Sequence, residues 1–137
     1  MNMKKQLLVL FFVSFSLLVS SQTTKDQERF NYVAKQMKLN PETKNKLRPL
    51  FYSYRKDLRA AKSTYNTLKD KNITAIKRMK LTAEQAKALN NARWNSDIKA
   101  TEVKKAYTQK FSTILTPQQV YYLFSYANDS KEKRERK

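Results

Sequence analysis

Residues 40–69 read NPETKNKLRPLFYSYRKDLRAAKSTYNTLK, and the spacing inside this stretch sets the fold class. Leu47, Phe51, Tyr54, Leu58, Ala61, Tyr65 and Leu68 follow one another at alternating intervals of four and three residues. Side chains at that spacing line one stripe of an α-helix, like the a and d positions of a heptad. Asn40 is a good cap. Pro41 suits the first helical position, where its missing N–H would have no intrahelical partner. At 1.5 Å per residue the helix reaches about 40 Å and ends near Lys69. Pro49 removes one backbone donor, so a kink or early break is expected there.

The same periodicity extends to both sides. Upstream, Phe30, Val33, Ala34 and Met37 share one face of a helix expected over residues 25–39, with Thr24 and Gln27 forming a capping box. Downstream, Ile73, Ile76 and Met79 suit a short helix or helical turn over residues 72–80. A third long helix is expected from Leu81 to Ile114. Its seam is Leu89, Ala92, Ser96, Ala100, Val103, Tyr107, Phe111 and Ile114, and the small residues in its middle admit a partner helix closely. A last helix after Leu115 packs through Val120, Leu123, Phe124 and Ala127. The expected fold is therefore all-α, with about four helices and a long antiparallel helical hairpin. Short helices with two apolar faces bury too little as a monomer, which favours dimerisation.

Residues 1–21 stand apart from this pattern. Lys4 and Lys5 precede an apolar run from Leu7 to Val19, and the small residues Ser20 and Ser21 follow. That order is a secretory leader, cleaved after Ser20 or Ser21. The apolar run is shorter than the roughly 20 residues of a spanning helix and gives way at once to Gln22, Thr23 and Thr24. Residues 22–130 then form the helical domain, and residues 131–137 a charged tail. The expected location is the periplasm.

Composition narrows the function. The chain has no Cys, no His and no Gly, so it lacks thiol nucleophiles, the commonest general base and metal ligand, and the usual phosphate-cradling loops. These absences argue against an enzyme and against a cofactor or metal site. Lys and Arg number 29 against 11 Asp and Glu, a formal net charge of +18. Loss of Lys4 and Lys5 with the leader leaves +16. Such a field draws in acidic protein segments and anionic lipid, less so in salt. No recognised nucleic-acid module is present, and export removes that ligand.

One motif occurs twice. Leu81-Thr82-Ala83-Glu84-Gln85 and Leu115-Thr116-Pro117-Gln118-Gln119 both read L-T-x-x-Q. Physically each is a helix start: Thr caps the first turn, and Gln three residues on reaches back to the Thr N–H. The leucine before the cap can pack one turn into the helix, on Ala86 in the first copy and Val120 in the second. On these two motifs, Leu81, Thr82, Gln85 and Leu115, Thr116, Gln119, the chain resembles the Spy and CpxP family of small periplasmic proteins. The stretch from Leu39 to Thr43, with Leu47, Pro49, Phe51 and Tyr54, also resembles the first long helix of short exported proteins linked to envelope stress.

The resemblance implies a cradle-shaped antiparallel homodimer that binds unfolded clients without ATP. Its alternative implication is a regulator bound to the sensor domain of a membrane signalling protein. Weak binding to anionic envelope lipid is a third expectation, from charge. Among the residues themselves, Arg55, Arg59 and Lys62 flank the seam of residues 47–68 as candidate client contacts. Trp94 and Ile98 fall opposite the Leu89–Ile114 seam, at 100° per residue, as an apolar pair on a second face.

Overall fold

A computed structural model describes residues 24–128. The expected leader over residues 1–21 and the charged tail over 131–137 lie outside the described residues. The described chain is all-helical: α1 Thr24–Gln36, α2 Pro41–Lys71, α3 Ile73–Lys77, α4 Ala83–Phe111 and α5 Pro117–Ala127. The four longer helices match the sequence expectation to within a few residues, and α3 is the short helical turn.

The helix starts are set by side chains. Asn40 Oδ1 accepts the Thr43 N–H at 2.8 Å. Thr82 Oγ1 accepts from Gln85 N at 3.1 Å, while Gln85 Oε1 accepts from Thr82 N at 3.0 Å. The second L-T-x-x-Q copy repeats this reciprocal box through Thr116 and Gln119, at 3.2 and 2.9 Å. Each box satisfies two amide donors that the helix itself cannot. The box expected at Thr24 is not formed as expected: Thr24 is already helical, inside α1 rather than capping it.

One correction concerns an expected chain break. Pro49 does not interrupt α2, which runs unbroken from Pro41 to Lys71. The missing donor frees the Asn45 carbonyl, and both Asn45 and Pro49 lie on the exposed side, where water can take the vacant bond. With no glycine available, two ordinary residues take left-handed backbone after a helix: Lys38 at φ 53° and Met79 at φ 54°. Lys38 ends α1, with Leu39 N–H donating to Ala34 O at 3.1 Å. That conformation costs a residue with a Cβ about 1–2 kcal/mol.

Packing is uneven along the long helices. The buried core draws on Phe30, Val33 and Ala34 of α1, Leu47, Phe51, Tyr54 and Leu58 of α2, and Ala100, Tyr107 and Phe111 of α4. Leu115 and α5 residues Val120, Leu123 and Ala127 complete it. Tyr54 sits at its centre, with ring centroids of Tyr107, Phe111 and Phe124 at 5.5, 5.7 and 5.5 Å. Beyond Leu58 the seam of α2 continues through Ala61, Tyr65 and Leu68, all only half-buried. In α4, Leu89 and Ser96 are the buried residues ahead of Ala100. Successively later residues of α2 meet successively earlier ones of α4: Asp57 bonds Tyr107, and Tyr65 bonds Arg93. Beyond Arg59 of α2 and ahead of Ala100 of α4 the described residues bury little, so this part of the two helices is a thinner arm beside the core drawn from α1, α2, α4 and α5.

Candidate functional site

The expected cationic face divides into two parts with different duties. Asp26, on the first turn of α1, is only 2% exposed. Arg59 Nη1 contacts both of its oxygens, at 2.6 and 2.8 Å, and Arg55 Nε approaches at 3.5 Å. Arg55 and Arg59 therefore lock α1 onto α2 around a buried carboxylate. Lys62, one turn further along, is exposed. Its ammonium is held below the usual lysine range, first by partial desolvation and then by Lys104 and Arg55, with Asp97 opposing. Lys62 therefore sits among like charges, a place where an incoming carboxylate relieves repulsion.

Trp94 and Ile98 are each 58% exposed, one turn apart on the outer face of α4. Neither contributes to the buried core, so the apolar pair stands open to solvent on the arm. Large apolar side chains usually find cover, and an exposed pair marks a contact surface more often than isolated residues do.

Nearby, between α2, α3 and α4, lies a pocket of about 190 Å³ that the sequence reading missed. Ile76, Leu81, Ala86 and Leu89 form its apolar walls, with Lys69, Asn90 and Arg93 beside them and no carboxylate. Tyr65 is held there by two cations. Arg93 Cζ stands 5.3 Å from its ring centre, with Nη2 donating to the hydroxyl at 2.8 Å, and Lys69 Nζ is 5.9 Å from the ring. A small residue of α4, Ala86, stands in the lining opposite Tyr65 and Lys69 of α2. That alanine was legible in the sequence; the volume beside it was not.

A second aromatic surface occupies the core end. Tyr121 and Tyr122 are 68% and 50% exposed. Tyr122 stacks on Tyr126 with centroids 6.2 Å apart, and Tyr126 meets Tyr32 edge-on at 6.2 Å.

Tyr107 ties α4 to α2 within the core. Its hydroxyl donates to Asp57 Oδ2 at 2.6 Å, and Lys110 Nζ lies 4.6 Å from its ring centre. Burial first, and then the Asp57 carboxylate that accepts its proton, hold the phenol well above the usual tyrosine range. Burial also raises Tyr54, against the opposing charges of Arg55 and Arg29. A raised pKa means the folded chain holds the proton more tightly than the unfolded chain. The associated stability is complete below the ordinary tyrosine pKa of 10.0 and is lost as pH climbs above it. Lys62, with its lowered value, pulls the other way. The expected result is that denaturant midpoints fall between about pH 10 and 11.5, and that Tyr107→Phe flattens this fall. The same substitution costs about 1 kcal/mol at neutral pH, because Asp57 is exposed and rehydrates.

The comparisons leave the site to be read from its own chemistry: no family model, curated protein or solved structure matches the chain.

Proposed function

We propose that the protein is an ATP-independent periplasmic holdase that binds unfolded proteins through a basic, partly aromatic helical surface. The observation that carries the reading is the exposure of Trp94 and Ile98 on an arm that gives the core almost nothing. In this reading α2 and α4 form a long antiparallel hairpin, and two copies associate into a cradle around the client. Long-range attraction by the basic surface raises the encounter rate with acidic or unfolded chains. Trp94, Ile98 and the pocket beside Tyr65 then hold apolar segments loosely. Contacts of this size are individually weak, so a client can leave and fold without an energy source. The chain performs no chemistry on its client and needs no cofactor.

Light scattering of a denatured, aggregation-prone client diluted into the protein tests this directly. Suppression at near-stoichiometric ratios, weakened by salt, is expected with several unrelated clients. Trp94→Ala should weaken suppression, and Lys62→Glu should slow capture at low salt, both at unchanged helicity. Lys62 is the informative position for charge reversal, since Arg55 and Arg59 hold the fold. Absence of suppression across unrelated clients would overturn the holdase and point to a single envelope partner, such as a sensor domain.

A further inference from the structure

The far end of the arm carries a basic turn with an exposed apolar side chain among its charges. From Lys71 to Ala83 the chain contains Lys71, Lys77, Arg78 and Lys80 and no acid. All four bases are exposed. Among them Met79 is 92% exposed and Ile73 is 36% exposed. Met79 is also the residue with left-handed backbone, φ 54°. The turn that forces this conformation is closed by Met79 N–H to Ile76 O at 3.1 Å and Lys80 N–H to Ala75 O at 2.9 Å. An unbranched apolar side chain is thus held outward at the apex of a basic turn, on backbone that glycine would occupy more cheaply.

We infer that this tip is a contact for the surface of an anionic phospholipid bilayer. The inference is independent of the holdase reading. Charge complementarity names the sign of the partner. Shape selects its class. The tip is a short helix and a turn between two long helices, a small element to set against the roughly 800 Å² per partner that a stable protein interface buries. A bilayer needs no matching surface: one methionine can enter the headgroup boundary while lysine and arginine stems lie along it with their charges at the phosphates. The nearest acids, Asp70 and Glu84, sit on the first turns back from the tip.

The test uses the protein as its host processes it, its N-terminus read by mass spectrometry, with vesicles of phosphatidylcholine alone or mixed with phosphatidylglycerol. Sedimentation is expected with the anionic vesicles and should decline with salt. Lys77→Gln with Arg78→Gln should lower the partition coefficient about thirtyfold. Met79→Ser should lower it about tenfold. A reporter of the tip itself is Met79→Trp in a Trp94→Phe background. Its indole emission should shift blue on anionic vesicles and be quenched by brominated lipid. Full binding by the Lys77/Arg78 variant, or an unshifted indole on vesicles that sediment the protein, would overturn the inference. So would a blue shift obtained with polyglutamate and not with vesicles, which would make the tip an acidic-protein site.

Discussion

Tyr54→Ala should remove a large part of the protein's stability. Tyr54 is fully buried, and four aromatic rings surround it: Phe51, Tyr107, Phe111 and Phe124. These rings come from α2, α4 and α5, so truncation opens a cavity where three elements meet. Replacing a buried aromatic by alanine costs about 3–5 kcal/mol, a large part of the 5–15 kcal/mol that a small domain holds. For a domain of this size, that corresponds to a melting-temperature drop of roughly 15 °C or more. Tyr54→Phe is the companion variant. The Tyr54 hydroxyl is buried and has no hydrogen-bond partner among the described residues, so removing it should leave stability unchanged or raise it by up to about 1 kcal/mol. Circular dichroism melts of the two variants check both statements. Equal losses in the two would show that the hydroxyl, rather than the ring, is what the core needs.

The second large effect concerns Asp26. Removing both Arg55 and Arg59 side chains to alanine should cost about 3 kcal/mol, because a carboxylate 2% exposed loses two guanidinium neighbours. Removing the carboxylate instead should cost less. The Arg59 and Arg55 side chains are 45% and 18% exposed and can turn their charge toward water. Asp26→Asn in the doubly substituted background should therefore recover at least about 1 kcal/mol, as a coupling energy. Hydrogen exchange should show the loss first in α1, which this cluster pins to α2. Additive losses, with no recovery, would mean that the cluster does not carry the α1–α2 contact.

These two sites also measure what a sequence can and cannot disclose. The stripe of Leu47, Phe51, Tyr54 and Leu58 is legible because period and residue type agree, and the caps at Asn40, Thr82 and Thr116 are local chemistry. The depth of burial was not legible. Tyr54 and Tyr65 lie in the same seam, yet Tyr54 is buried and Tyr65 half-buried, because the core packs around only one end of the helix pair. Pro49 is a helix breaker by local rules, but a single lost bond on the exposed side does not outweigh the packing of the rest of α2. Trp94 and Ile98 could be placed on a second face by angle alone, and they stand exposed there. Arg55 and Arg59 read as client contacts because the carboxylate that holds them is 29 and 33 residues away in sequence. The Tyr65 pocket depends on the register of α2 against α4, which no single helix encodes.

The confinement of the core to one end of the long helices has an evolutionary consequence. Residues that set stability and residues available for recognition hardly overlap along the chain. Exposed substitutions on the arm should each change stability by no more than about 0.5 kcal/mol. Natural variation can therefore rewrite the arm in closely related sequences while the ring cluster around Tyr54 stays nearly fixed. Descendants of one ancestor could then acquire different binding preferences without first acquiring surplus stability.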